Sequence, residues 1–286
     1  MEQNKKDIKN TVDKTNKNGI INIAIDGPAG SGKSTISRAV AKKMGIIYVD
    51  TGALYRTVAL KLLAKKVKIE NDSVEEILKT TKVELKFVKG EQKVFLDGTD
   101  VTDKIRTPEV SMTASSSSAL PNVRKYLLNM QQGIAKENSV VMDGRDIGTV
   151  VLPNADIKIF LTASAECRAK RRWLELTQKG QNVTYEEVLK DQKERDYNDS
   201  HRKIAPLKPC EDSVIIDTTE LSLEQSVEHL YNVIQNKLNK KNRQYNQGTM
   251  LPIAENIVLL LYCLYNKKSV KANKIKLRGK FNDCFL

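Results

Sequence analysis

The chain has 286 residues, of which 40% are hydrophobic and 29% are charged, and its formal net charge at pH 7 is +13. With 14 glycines, 7 prolines and no long heptad run, it is not collagenous, mucin-like or a coiled coil, and it is long enough for one large domain or two small ones. The excess charge is +2 in residues 1–18 and +7 in residues 241–286, which leaves +4 for residues 19–240 and argues against a domain built mainly to coat nucleic acid.

The first predicted elements form a strand–loop–helix–strand unit. Residues 1–18 are polar, and we expect them to form a disordered leader. The apolar run at 20–25 is typical of a strand buried on both faces. A glycine-rich turn and a predicted helix at 33–44 follow, with Gly45 as its stop, before a second apolar strand at 46–49. Such a crossover indicates parallel strands joined with right-handed connectivity.

The next stretch changes character. A predicted helix at 54–67 is followed by strands at 83–88 and 93–96, joined by a turn at 89–92. Two short strands joined by a tight turn indicate an antiparallel pair. We therefore predict a small antiparallel insertion within an α/β core.

Apolar strands resume in the second half of the chain, at residues 140–142, 157–161 and 214–216. A last helix is predicted at 223–238, and the apolar residues of its stripe are Leu223, Val227, Leu230, Ile234 and Leu238. No internal repeat is visible, and the regular alternation stops after about residue 240. The pattern predicts an α/β fold with a parallel sheet flanked by helices.

The glycine-rich turn fits the phosphate-binding pattern GxxxxGK[ST] at each fixed position, as Gly27-Pro28-Ala29-Gly30-Ser31-Gly32-Lys33-Ser34. Backbone N–H groups in such a loop converge on phosphate oxygens, and the helix N-terminus adds positive potential. Lys33 would reach the β/γ-phosphates, and the Ser34 hydroxyl would ligate Mg²⁺. A turn without a ligand is the alternative, but the strand before it and the helix after it favour nucleoside triphosphate binding.

Other signals narrow the class of enzyme. The sequence has no NKxD motif of a GTPase, and the strand at 140–142 continues as Asp143-Gly144-Arg145-Asp146 rather than ending in Asp-Glu. Arginines near glycines and acids are plentiful downstream and indicate a second anionic substrate. Arg195, Asp199 and Arg202 are spaced to share one face of a helix, although a solvated, salt-bridged helix is the alternative.

Four segments, in the same order between about residues 20 and 240, together resemble bacterial cytidylate (CMP) kinases. They are residues 25–35, residues 50–56, residues 143–151 and the stretch from Lys193-Glu194-Arg195-Asp196 to Ala205-Pro206-Leu207. The resemblance implies a P-loop NTPase-type sheet, an antiparallel NMP-binding insertion at about 52–125 and a short lid at about 170–206. It also implies transfer of the γ-phosphoryl of ATP, with Mg²⁺, to CMP and dCMP.

The resemblance also implies site residues. Those that would bind ATP are Gly27, Pro28, Ala29, Gly30, Ser31, Gly32, Lys33, Ser34 and Thr35. Those that would bind CMP are Thr51, Tyr55, Arg56, Arg106, Ser115, Arg124, Arg145, Asp146, Arg195, Asp199 and Arg202. The catalytic residues would be Lys33, Arg145 and Arg195. Thr51 stands where the family often has Ser, and it keeps the hydroxyl.

Within the implied CMP site, the resemblance suggests finer roles. The residues that would hold the acceptor phosphate are Tyr55, Arg56 and Arg145. Those that would line cytosine are Ser115, Arg124, Asp146 and Arg202, while Asp199 and Arg195 would lie near the ribose. Asp146 has an alternative role, which is to hold the loop by pairing with Arg145 or Arg202.

For two parts of the chain, the sequence does not predict a single structure or role. Arg168, Arg171 and Arg172 lie where the lid would begin, and they would either face ATP or form a solvated helix face. Residues 241–286 have no counterpart in the family pattern. They could be a surface-lying helix, a disordered extension, or sequence from read-through or a shifted frame.

Two alternatives to this function remain open. One is a P-loop kinase for another acceptor, such as UMP or a sugar-like alcohol, and the other is a nucleic-acid-binding protein that uses its basic tail.

We expect a monomer with no obligatory nucleic acid. Its longest apolar stretch, residues 253–265, holds about 13 residues and is too short to span a membrane. Four cysteines without a CxxC spacing and no signal peptide indicate a reduced, cytoplasmic protein without a zinc site.

Overall fold

The computed structural model describes residues 19–88, 91–241 and 243. The predictions for the leader and for the tail lie outside these residues, apart from positions 241 and 243. The chain divides into two compact units, Met1–Leu238 and Asn239–Leu286, and the fold below is that of the first. In the described part of the chain, no helix has both the length and the apolar character needed to cross a membrane.

The described strands are β1 (Asn22–Asp26), β2 (Ile47–Asp50), β3 (Val83–Val88), β4 (Glu91–Leu96), β5 (Thr99–Asp100), β6 (Val140–Gly144), β7 (Ile157–Thr162) and β8 (Val214–Asp217). The helices are α1 (Lys33–Met44), α2 (Thr51–Ala64), α3 (Asn71–Lys79), α4 (Pro108–Ser117), α5 (Pro121–Glu137), α6 (Ala165–Gln178), α7 (Tyr185–His201) and α8, which begins at residue 223.

The central sheet has five parallel strands in the order β2-β6-β1-β7-β8. Strand β1 lies in its middle, and its side chains alternate between two cores. Ile23 and Ile25 pack in the core that contains α1 and α8, whereas Ala24 packs in the core that contains α5. Burial on both faces is the reason that the run at 20–25 is apolar apart from Asn22. The predicted parallel sheet flanked by helices is therefore confirmed.

The predicted antiparallel insertion is also confirmed. Strands β3, β4 and β5 form a separate antiparallel sheet, which packs with α2, α3, α4 and α5 around a core of its own. Strand β5 and helices α3 to α5 are not among the elements predicted from the sequence. The predicted turn at 89–92 was too long, since Gln92 and Glu91 already pair with Phe87 and Val88 in the sheet.

One predicted helix boundary and one residue of a predicted apolar stripe need correction. Helix α2 begins at Thr51 rather than residue 54, because the Asp50 carboxylate accepts a hydrogen bond from Ala53 N (3.0 Å) and caps the helix. In α8, Leu230, Ile234 and Leu238 are buried as predicted, but Leu223 is 48% exposed. Helix α1 matches its prediction, with Gly45 in the left-handed conformation at its end.

Candidate functional site

The loop at residues 27–34 joins β1 to α1 at the carboxyl edge of the sheet. Gly27 has φ +151°, and a Cβ at this position would lie 2.0 Å from the Leu161 carbonyl oxygen, so no other residue fits here. Gly32 adopts φ +83° directly before α1 and turns the first N–H groups of the helix toward the loop. The geometry is that of an anion cradle at a helix N-terminus.

A cleft of about 910 Å³ opens in front of this loop, and α2, α4, α6 and α7 contribute to its walls. Every residue of the predicted CMP set lines it, namely Thr51, Tyr55, Arg56, Arg106, Ser115, Arg124, Arg145, Asp146, Arg195, Asp199 and Arg202. From the predicted ATP set, the lining residues are Ala29, Gly30, Gly32, Lys33, Ser34 and Thr35. Gly27, Pro28 and Ser31 are described residues of the loop but not of the lining. The predicted CMP set and six of the nine predicted ATP residues therefore lie around one cleft.

Lys33 lies under the loop. Its Nζ donates to the Pro28 carbonyl oxygen at 2.7 Å, and only 6% of the residue is exposed. Burial, followed by the positive charge of Arg145, lowers the pKa of Lys33, so an anion entering the cleft would favour its charged form.

Ser34 contacts an acid that the sequence analysis did not select. The Ser34 hydroxyl donates to Asp143 Oδ2 at 2.8 Å, and the Tyr48 hydroxyl donates to Oδ1 at 3.2 Å. Burial raises the pKa of Asp143. Ser34 and Asp143 both line the cleft, and they offer oxygen atoms of the kind that Mg²⁺ prefers. Within the described residues, no group of three or more His, Cys, Asp or Glu side chains could hold a metal by itself.

Positive charge converges on the middle of the cleft. Arg145 follows β6, and its Nε donates to Asp199 Oδ2 at 2.8 Å. Burial, followed by the neighbouring Arg145 guanidinium, lowers the pKa of Arg195. Arg56 donates to Asp50 Oδ2 at 2.8 Å. Guanidinium groups keep their charge in such surroundings and bind phosphate through two parallel N–H groups.

Asp146 lies between two arginines. Its Oδ2 accepts a hydrogen bond from Arg124 Nη2, and its Oδ1 lies 3.6 Å from Arg202 Nη2. Asp146 is buried and lines the cleft, as does Ser115 on α4. The alternative prediction was that Asp146 holds the loop by pairing with Arg145 or Arg202. In the structure Asp146 pairs with Arg202, and also with Arg124.

The predicted helical face at Arg195, Asp199 and Arg202 is only partly correct. Helix α7 ends at His201, and Arg202 follows it with an extended backbone. After the helix the chain turns back toward it, and the Leu207 N–H donates to the Asp199 carbonyl oxygen at 2.8 Å. All three side chains nevertheless reach the same cleft.

Asp26 is a second acid that the sequence analysis missed. Its two carboxylate oxygens accept hydrogen bonds from Ile147 N (2.7 Å) and Gly148 N (2.8 Å). These contacts fix the turn that carries Arg145 and Asp146. Burial raises the pKa of Asp26 to about 6. In the sequence, the only signal is an acid at the end of an apolar strand.

The three arginines where the lid is predicted to begin differ in their surroundings. Arg171 and Arg172 line the cleft, and Arg171 Nη2 donates to the Thr218 carbonyl oxygen at 2.7 Å. Arg168 is 5% exposed and is neither in the cleft nor on a solvated face. Neither prediction for Arg168 holds, because its guanidinium bonds to protein groups on all sides.

The phosphate loop at a strand–helix junction, the parallel sheet and the facing arginine-lined pocket define a P-loop phosphotransferase with two anionic substrates. A family model described as "Cytidylate kinase" matches residues 23–236. The chain belongs to the cytidylate kinase family.

Individual relatives described as cytidylate kinases are similar to this chain over most of its length. The "Cytidylate kinase" of Caldicellulosiruptor bescii is 54% identical over 223 residues, which cover 76% of this chain and 99% of that protein. That of Caldicellulosiruptor saccharolyticus is 52% identical over 223 residues, with the same coverage of 76% and 99%. A solved shikimate kinase from Bacteroides thetaiotaomicron covers 75% of this chain and 98% of its own, with a TM-score of 0.42 and 13% identity, a similarity from which no function follows.

Proposed function

We propose that this protein transfers the γ-phosphoryl group of ATP to CMP and gives CDP and ADP. The observation that carries the proposal is that one cleft holds the phosphate loop, the arginines and the buried Asp146 of a cytidylate kinase family chain. The acceptor and donor phosphates must meet there, and their charges repel each other. Lysine and arginine side chains around the meeting point reduce that repulsion.

The phosphate loop supplies the donor end. Its backbone N–H groups would hold the phosphates of ATP, and Lys33 would leave the Pro28 carbonyl to contact the β/γ-phosphates. Ser34 and the adjacent Asp143 carboxylate would hold the Mg²⁺ ion that accompanies ATP, directly or through its water ligands. When bound, Mg²⁺ neutralises charge that develops on the phosphate oxygens.

The opposite wall supplies the acceptor end. Tyr55, Arg56 and Arg145 would hold the phosphate of CMP, while Ser115 and Asp146 would face cytosine. Arg145 and Arg195 would also contact the transferring phosphoryl group, whose three equatorial oxygens share its charge. Asp199 would lie near the ribose, where we expect both CMP and dCMP to be accepted.

An acceptor panel tests this function. ADP release is measured with CMP, dCMP, UMP, AMP, gluconate and shikimate at matched concentrations. We expect kcat/KM for CMP to exceed that for UMP by about a hundredfold or more, because a site built around one hydrogen-bonding edge leaves a buried group unpaired with the wrong base. Equal turnover of UMP, or turnover of a polyol instead of nucleotides, would contradict the proposal.

We also propose that the kinase domain spans residues 19–240. Deletion of residues 1–17 and 242–286 together is expected to leave a soluble, active enzyme, because β1 begins at Asn22 and the last core residue of α8 is Leu238. Activity and the thermal unfolding midpoint are compared with those of the full chain. An insoluble or unfolded product would show that an end of the chain packs on the core.

The deletion of the tail also tests whether the protein binds nucleic acid. If the basic tail binds nucleic acid, removal of residues 242–286 lowers RNA or DNA affinity and the slope of its salt dependence. A cytoplasmic, monomeric enzyme stays a prediction from the sequence, and sedimentation of the full chain measures its oligomeric state.

A further inference from the structure

Arg168 connects three separate segments of the chain. Its Nε donates to the Ala163 carbonyl at the end of β7 (2.8 Å), and its Nη1 donates to the Ala29 carbonyl in the phosphate loop (3.0 Å). Both terminal nitrogens also donate to the Asp196 carboxylate on α7, at 2.9 and 2.6 Å. A side chain that is 5% exposed and bonded in this way is held in one position.

Gln192 adds a second link between the same segments. Its amide nitrogen donates to the Ala29 carbonyl (3.1 Å) and to Asp196 Oδ1 (3.2 Å). The Ala29 carbonyl therefore accepts from a residue of α6 and from a residue of α7. A Cβ on the adjacent Gly30 would lie 3.2 Å from Arg168 Cβ and 3.3 Å from Gln192 Oε1, so the loop and the two helices are in close contact.

This cluster lies beside the residues that α7 sends into the cleft. Asp196 is next in sequence to Arg195 and less than one turn before Asp199. Asp199 in turn accepts the hydrogen bond from Arg145. Any rotation or shift of α7 against the phosphate loop would move the Arg195 guanidinium with respect to Lys33. An error of about 1 Å in such a site can reduce the rate about a hundredfold.

We propose that Arg168, Asp196 and Gln192 form a clamp, defined by these three side chains and the Ala29 carbonyl, that sets the position of Arg195 over the phosphate loop. Arg168 and Asp196 are positioning residues for phosphoryl transfer and act through Arg195. The inference rests on the proposed function, since it takes Arg195 to contact the transferring phosphoryl group.

The test is a double-mutant cycle between Asp196→Asn and Arg195→Ala. Asp196→Asn turns one acceptor oxygen into an N–H donor that faces Arg168, and it is expected to lower kcat about tenfold with KM for CMP changed less than twofold. In the Arg195→Ala background, the same substitution is expected to change kcat less than twofold, because no guanidinium remains to be positioned. An equal drop in kcat in both backgrounds would overturn the proposal.

Controls separate the clamp from general packing of the two helices. Glu166→Gln removes the exposed ion pair with Lys193 (3.3 Å), which joins the same two helices and is not part of the clamp, and it is expected to leave kcat within twofold of wild type. If Asp196→Asn does not fold, as judged by thermal unfolding, Gln192→Leu takes its place in the cycle. An additive result with Gln192→Leu would then count against the clamp.

Turnover of CMP by the wild-type enzyme tests the proposed function separately. An enzyme that phosphorylates CMP but shows no coupling between positions 195 and 196 overturns the clamp alone.

Discussion

Lys33→Met is expected to reduce phosphoryl transfer by about a hundredfold or more, which is on the order of 3 kcal/mol of transition-state stabilisation. Methionine has a similar length but no charge. The ammonium group of Lys33 is the positive charge that lies within the phosphate loop, and its contact strengthens as the γ-phosphoryl group leaves ATP. Its loss removes an interaction that matters more in the transition state than in the ground state, so kcat falls more than KM rises.

The fold should tolerate this change. Only 6% of Lys33 is exposed, but the residue lines the cleft. Burial and Arg145 both disfavour its charge, so a neutral side chain of the same length should shift the thermal unfolding midpoint little. Single-turnover rates measure the chemical step directly. A variant that kept a tenth of wild-type turnover would show that Lys33 lacks this role.

Lys42→Met is the matched control. Lys42 is an exposed lysine in the last turn of the same helix, so its replacement makes the same chemical change away from the cleft. We expect its turnover to stay within about twofold of wild type, as for most surface substitutions.

The phosphate loop and α1 could be predicted from the sequence because their signals are local. Glycines at fixed spacing, a lysine and the following apolar periodicity lie within about 20 residues. By contrast, helix α4 carries its signal weakly. The segment of α4 is rich in Ser and Thr, and its burial depends on contact with α2 and on the insertion core.

Asp143 and Asp26 could not be selected because their roles depend on strand order. Ser34 and Asp143 are 109 positions apart in sequence, and they meet because β6 inserts beside β1. Asp26 likewise bonds to a turn more than 120 positions away. The surroundings of Arg168 could not be predicted for the same reason. The local sequence does not distinguish an arginine that bonds to another helix from an arginine that faces a nucleotide.

Asp146→Asn is expected to shrink the ratio of kcat/KM for CMP over UMP at least about tenfold. Cytosine offers an exocyclic amine where uracil offers a carbonyl oxygen. A carboxylate oxygen accepts from the amine, but with uracil it loses that charge-assisted hydrogen bond and faces another acceptor, which costs a few kcal/mol, on the order of a hundredfold in rate.

The contacts of Asp146 sharpen this prediction. Arg124 donates to Oδ2, so an asparagine would keep its carbonyl oxygen on that side and place its NH₂ where Oδ1 stands. Oδ1 lies 3.6 Å from Arg202 Nη2, on the side of the cleft where we propose that cytosine binds. The NH₂ group would then face the amine of cytosine unfavourably and the O4 atom of uracil favourably. Turnover of CMP should fall, and turnover of UMP should fall less or rise.

Asp199→Asn is the control for this substitution. It also neutralises a carboxylate of the cleft, but this carboxylate bonds to Arg145 and not to the pair of arginines around Asp146. We expect Asp199→Asn to lower turnover of CMP and UMP by a similar factor and to leave their ratio within about twofold. If Asp146→Asn behaved in the same way, Asp146 would only hold Arg124 and Arg202 in place. Discrimination against uracil would then have to come from another group of the cleft, with the Ser115 hydroxyl as the next position to replace.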